Sequence, residues 1–475
     1  PEPEQFTQTV RLNVSEPLEI ETLQQSVQAL VSHHDSLRLS YVQSEGSWIQ
    51  RYRQAIEVNQ PEVNQPEANQ TDANQINANQ VSLVDLSDEP VQEQVIQAEI
   101  ARLQTQLNLA TGDLLRAVLF DLGDRQQLAI VIHHLAVDAV SWLTLLKDLE
   151  TIYRQVSAGE DVMLPPKTSS FRAWAQGLAR ADLGADEMAY WESLPSTPLR
   201  QRVGSTEVER GEMLSPKALT PLSLAGKTTR KLSLEATQQF LQSSHRDRPQ
   251  EKILAAIAEA ISAKTKQSSL RVDLEGHGRE EALVAGIRLV RTVGWFTSLF
   301  PVVLPVASEI GETLAQVKQT MRAVPQSGIG YGILRYFGDE QTKATLAAPP
   351  QADVLFNYLG TLDQLLPAQS MFELAAPLSV LRSERQPRSH PLDISAFITH
   401  GQLQIDIDYA GVDPQTVEAI ASGIIDQLTQ LITRKSSTAV TTEDFPLAQI
   451  NGQKLDKLSA LLGQFDEDVD DDSDD

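Results

Sequence analysis

A chain of 475 residues is longer than one ordinary hydrophobic core supports, which predicts two lobes or domains. Its formal charge, 39 − 64 = −25, argues against nucleic-acid binding, because phosphates require a basic face. It has no cysteine, which excludes disulfides, thiolate catalysis and Cys-ligated zinc.

No run of 18 apolar residues marks a membrane span, and the opening PEPEQFTQTV has neither the basic start nor the apolar core of a signal peptide. A cytoplasmic location with no membrane partner is therefore expected. Much of the negative charge is terminal: eight of the last ten residues, Asp466 to Asp475, are acidic.

In chain order, residues 6–14 alternate as a strand, with Val10, Leu12 and Val14 on one face. Leu23, Val27, Leu30 and Val31 then mark one face of a helix that ends at His33-His34-Asp35, where cationic histidines would favour the helix dipole. Residues 58–80 are a five-residue repeat built on Asn-Gln. It has too little to bury to offset its ordering entropy and reads as a disordered loop insertion. Residues 114–122 and 127–132 form a hairpin turning at Gly123-Asp124. Beyond HHLAVD comes a helix whose buried face is Trp142, Leu145, Leu146, Leu149 and Tyr153.

Pro165-Pro166 break the chain before a helix through Trp174. Residues 195–226, rich in Pro, Ser, Thr and Gly, read as the linker between an N-terminal lobe (1–194) and a C-terminal lobe (227–450). The second half restarts with a strand at 228–234 and helices to Lys264. Further strands are expected within LRVDLEGHGRE, at 294–306, 354–360 and 403–410, and a last helix covers 414–434. Mixed strands and helices in both halves predict an α/β (α+β) fold of two lobes.

Two constellations carry possible chemistry. His133-His134-Leu135-Ala136-Val137-Asp138 lies between an apolar strand and a helix, and supplies either a general base near neutral pH or two structural histidines with Asp138 as N-cap. Spacing alone does not separate these. No further ligand cluster accompanies it, so no metal is expected. Glu275-Gly276-His277-Gly278-Arg279-Glu280 permits a tight turn and close approach of a ligand to the backbone. Taken alone it better fits a solvated charged turn with an internal Glu–Arg pair. His245, His390 and His400 carry no assignment beyond surface or packing roles.

HHLAVDAVSW (133–142) resembles the histidine motif of the condensation superfamily of nonribosomal peptide synthetases. DLEGHGRE (273–280), RTVGWFTSLFPV (291–302), VPQSGIGYGILRY (324–336) and VLFNYLG (354–360) resemble its epimerisation branch, in that branch's order. The resemblance implies two chloramphenicol-acetyltransferase-like lobes arranged as a V around a central tunnel. It implies L-to-D epimerisation of an aminoacyl or peptidyl thioester, with His134 and Glu275 catalytic. His133, Asp138, Ser141, Trp142, Gly276, His277, Arg279, Asn357 and Tyr358 match supporting or substrate-lining positions.

No cofactor of its own is implied. The phosphopantetheine arm belongs to a carrier protein, the expected partner. An amide-forming condensation domain and an inactive carrier-docking module are the alternatives. Ala139, Leu143, Arg288 and Val290 depart from the usual pattern, and the last two are expected near the site. Beyond DFPL (444–447), residues 454–463 can form a helix with Leu455, Leu458 and Leu462 on one stripe. With the acidic tail, 451–475 reads either as a docking element for a downstream synthetase or as a linker helix with a solubilising end.

Replacing residues 58–80 by a short Gly/Ser link should leave fold and activity intact, since closure cost varies slowly with loop length. A fall in Tm beyond about 5 °C would contradict this.

Overall fold

The computed structural model describes residues 2–44, 46–53, 80–194, 226–243, 247–349, 351–367, 369–383, 386 and 388–433. The Asn-Gln repeat (except Gln80), the linker (except Gly226), His245 and the tail lie outside the described residues.

The first half supplies β1 (Thr7–Val14), β2 (Leu39–Ser44), β3 (Ser47–Tyr52), β4 (Val81–Asp85), β5 (Leu115–Asp121) and β6 (Gln126–His133). The second half supplies β7 (Gly226–Lys231), β8 (Ser269–Gly276), β9 (Ser298–Pro305), β10 (Val354–Thr361), β11 (Phe372–Leu381), β12 (Leu392–Thr399) and β13 (Gln402–Tyr409). Two large sheets result, ordered β11-β1-β6-β5-β4 and β7-β13-β12-β10-β8-β9, and β2-β3 is a separate hairpin.

The apolar runs of β5 and β6 follow from burial on both faces. Leu128, Ile130 and Ile132 enter one core with helices Ile20–His33 and Ala139–Ser157. The alternate residues Ala129 and Val131 enter a second core with helix Gln92–Gln104. The expected hairpin is present, and Gly123 at its turn has φ +90°. The second sheet places Leu270, Val272 and Leu274 of β8 in a core shared with helices Pro249–Thr265, Ile310–Ala323 and Pro414–Thr433.

One exchange departs from the expected division into lobes. β11 comes from the second half of the chain but pairs antiparallel with β1 in the first sheet. The span 227–450 is therefore not a self-contained lobe. Among the described residues, no helix is long and apolar enough to cross a membrane.

Candidate active site

Two strand ends build the site. β8 and β10 run parallel, with Leu274 opposite Phe356, so Glu275 and Asn357 emerge side by side where the pairing of the two strands ends. Asn357 Nδ2 donates to Glu275 Oε2 at 2.6 Å. Beyond β8 the chain turns through Gly276-His277-Gly278. Gly278 has φ +65°, and a Cβ there would fall 1.7 Å from the Phe296 carbonyl oxygen, so this close approach requires glycine.

A cavity of about 590 Å³ opens here. Glu275, Gly276, His277, Asn357 and Tyr358 line it from the second lobe, and Asp138, Ala139 and Leu143 from the first. Burial pushes the Glu275 carboxyl up to about 7; Asp393 adds to this, while Arg382 and the Asn357 hydrogen bond oppose it. Burial also raises the Tyr358 hydroxyl, which stays protonated.

The HHxxxD segment divides its labour. His133 is structural: its Nδ1 accepts from Leu135 N–H at 3.1 Å and its Nε2–H donates to the Pro3 carbonyl at 2.8 Å. Asp138 caps helix Ala139–Ser157, accepting from Ser141 N–H and Ser141 Oγ–H, each at 2.7 Å. The same carboxylate accepts from Arg279 Nη2 at 2.9 Å and from Phe296 N–H at 3.1 Å. Ser141 Oγ in turn accepts from Gly294 N–H at 3.1 Å, and Arg279 lies over the Phe296 ring, 3.9 Å from its centroid. Asp138 and Ser141 thus tie the first lobe to two loops of the second.

His134 is buried and does not line the cavity. Its ring lies between Phe6, stacked at 4.6 Å, and Trp295 at 4.8 Å. Trp142 Nε1–H, which can only donate, gives its proton to Gln8 Oε1 at 2.8 Å. That fixes the Gln8 amide, whose Nε2 then donates to His134 Nε2 at 2.9 Å. The His134 proton is therefore on Nδ1, which has no hydrogen-bond partner among the described residues. Burial holds the imidazole down to about 4, so it is neutral at physiological pH.

Phe6, Gln8, Trp295 and Arg382 are the neighbours that sequence reasoning missed. Gln8 sits between Thr7 and Thr9 in a polar strand start, so no local signal singled it out. Arg288 and Val290 do not reach the cavity. Ser169 N–H donates to the Arg288 carbonyl at 2.8 Å, Arg288 N–H donates to Ser169 Oγ at 3.0 Å, and Val290 is 78% exposed.

The His33-His34-Asp35 segment is structural, for a different reason from the one expected. Burial holds His33 down to about 4, so it carries no charge for the helix dipole. His34 Nε2 meets Asp148 Oδ2 at 3.0 Å. His33, His34 and Asp148 have metal-ligand spacing, but Arg291 already engages both Asp148 oxygens, at 2.6 and 2.7 Å. His390, buried, meets Asp273 at 2.9 Å.

The Asp138 hub gives an asymmetric expectation. Asp138→Ala removes the helix cap and leaves a mostly buried guanidinium unpaired, at a cost of about 3–5 kcal/mol. Arg279→Met keeps an apolar stem on Phe296 and leaves Asp138 three donors, so it should cost about 1–2 kcal/mol. Urea unfolding of both variants checks the order, and equal losses would contradict it.

Residues 1–447 match the family model of the Condensation domain. One protein of the linear gramicidin synthase of Brevibacillus parabrevis is 34% identical over 481 residues, 97% of this chain and 6% of that protein. Surfactin synthase subunit 1 of Bacillus subtilis (strain 168) is 30% identical over 467 residues, 96% of this chain and 12% of that protein. The chain thus spans a small part of the length of these relatives. The epimerization domain from the third module of tyrocidine synthetase B aligns with a TM-score of 0.74 at 27% identity, over 90% of this chain and 92% of that one. The first condensation domain of the CDA synthetase aligns with a TM-score of 0.63 at 18% identity, over 92% of each chain, a likeness of fold alone. With its two chloramphenicol-acetyltransferase-like lobes, this chain belongs to the condensation-domain family.

Proposed function

We propose that the chain epimerises the α-carbon of an aminoacyl or peptidyl thioester delivered on the phosphopantetheine arm of a carrier protein. The observation that carries this reading is Glu275: a carboxylate on the wall of the inter-lobe cavity, with its proton affinity raised to about 7. A base must be ionised at working pH yet basic enough to take a weakly acidic proton, and a carboxylate near 7 meets both needs.

In this reading the α-proton passes to Glu275 and the C–H electron pair moves onto the thioester oxygen as an enolate. The protonated Tyr358 hydroxyl, on the same wall, can donate to that oxygen. A proton from water in the cavity then reaches the opposite face of Cα and Glu275 gives its own proton back to solvent, so the centre inverts with no net change in protons. His134 is not the base in this reading, since it does not line the cavity. Its Nε2 lone pair is committed to Gln8, and its unpaired Nδ1–H can only donate. That arrangement disfavours the amide-forming alternative, in which an imidazole would have to accept the proton of an incoming amine. An inactive docking module would not need a desolvated carboxylate beside Asn357.

Glu275→Gln should abolish deuterium wash-in at Cα of a carrier-bound substrate, and the wild-type rate should rise with pH through about 7 as Glu275 ionises. Stability should move the other way. Between its unfolded value near 4.5 and about 7, the folded state holds a proton that the unfolded state has lost, so stability falls as pH rises through that window. Glu275→Gln should therefore melt above the wild type at pH 8, with the gap closing toward pH 4.5. Wild-type exchange in the variant would remove Glu275 from the mechanism.

A further inference from the structure

We propose that the cavity holds, beyond Glu275, a subsite for the side chain of the residue whose α-carbon reacts. Val140 and Leu143 wall it from the first lobe and Leu359 and Leu365 from the second, so it selects aliphatic and aromatic side chains over charged ones. The proposal rests on the epimerase reading for the bond that reacts, and adds to it the class of side chain accepted.

One wall is the start of helix Ala139–Ser157. The buried face of that helix runs from Trp142 to Tyr153. Val140 and Leu143, one turn apart, lie off that face. They are 38% and 42% exposed, and both line the cavity that Glu275 lines. The bonds from Asp138 to Ser141, Arg279 and Phe296 hold this turn of helix against the second lobe.

The other wall follows β10. Its pairing with β8 ends at Phe356, and Asn357, next in line, donates to Glu275. Beyond that point Tyr358, Leu359 and Thr361 line the cavity. Leu359 lies two residues past Asn357, on the same side of the strand and about 7 Å along it. A leucyl or phenylalanyl side chain spans much of that interval when its α-carbon is held at the Glu275 carboxylate. Gly360, with φ +72°, then leads the chain into the turn Leu362–Gln364, and Leu365 lines the cavity again. Its neighbour Leu366 packs on the same core cluster as Ala139, so both walls are anchored on one core.

Val140, Leu143, Leu359 and Leu365 belong to none of the hydrophobic core clusters among the described residues. Single apolar residues on an open surface are ordinary. Four on the wall of one cavity leave apolar area that an occupant would remove from water. The side chain at Cα is that occupant, because it is one bond from the atom that Glu275 deprotonates. Glu251, Glu275 and Glu280 line the same cavity and oppose an acidic side chain, and a cationic one would lose its hydration against the leucines.

The test compares Cα deuterium wash-in on carriers loaded with alanyl, leucyl, phenylalanyl or glutamyl thioester, each both free and N-acetylated to mimic a peptidyl chain. It uses the full chain and its Leu143→Gln, Leu365→Gln and Leu143→Met variants. In the wild type kcat/KM should be about tenfold higher for leucyl and phenylalanyl than for alanyl, and lower for glutamyl than for alanyl. Each Gln variant should lower the leucyl-to-alanyl ratio by about fivefold, while Leu143→Met keeps it. A wild type without that preference, or a ratio that neither Gln variant moves, overturns the proposal. So does an equal loss for all four thioesters, which would set the common arm, and not the side chain, against these residues. If Leu143→Gln does not fold, Leu365→Gln decides by the same ratio. If the wild type exchanges none of the thioesters, the epimerase reading fails instead, and affinity decides the subsite. Carriers bearing leucyl or alanyl on an unreactive amide-linked arm are titrated against the chain. A leucyl preference that Leu143→Gln removes supports the subsite, and equal affinities contradict it.

Discussion

The geometry of the site depends on one carboxylate, Asp138. It accepts hydrogen bonds from its own helix through Ser141 and from two loops of the other lobe through Arg279 and Phe296. An N-cap usually satisfies a single orphan donor. Here the same group fixes the start of helix Ala139–Ser157 and the distance between the lobes. The cavity wall contributed by Ala139 and Leu143 is therefore held against the wall contributed by Glu275 and Tyr358. Asp148, further along the same helix, repeats the arrangement with Arg291, so the interface is pinned twice by arginines of the second lobe.

Within that frame, burial acts in opposite senses on the two site residues matched to the family motifs. Removing a group from water disfavours its charged form. For Glu275 this makes a stronger base, and for His134 it makes a neutral ring with little capacity to accept a proton. The Trp142–Gln8–His134 chain completes the second effect by occupying Nε2. Trp142, a core residue by its full burial, is thus also the group that sets the tautomer of His134. One cause, desolvation, separates the two roles.

Much of this was legible in the sequence. The alternation of 6–14, the Gly-Asp hairpin and the helix face from Trp142 to Tyr153 carry their structure in local periodicity, and the ordered motifs pointed to Glu275, Asn357 and Tyr358 together. What was not legible is cross-strand. Phe6, Gln8 and Arg382 gather around His134 only because β11 crosses into the first sheet and β1 pairs with β6, and FELAAPLSVL has no clean alternation to announce the crossing. Proximity in sequence also misled at Arg288 and Val290. They precede RTVGW, but the chain there bonds to Ser169 and faces solvent before turning inward. Burial, and hence the shifted proton affinities of Glu275 and His134, belongs to the assembled lobes and to no segment.

The most direct measurement is stereochemical. A carrier protein is loaded in parallel with pure L- and pure D-aminoacyl thioester, an acceptor amine on a second carrier is added, and the chirality of the recovered residue is followed over time. Reversible proton exchange at one carbon predicts that both samples converge on the same L:D ratio and that no amide forms. Retention of chirality in both samples with accumulation of an amide would contradict the epimerase reading and place the chain among the amide-forming members of its family.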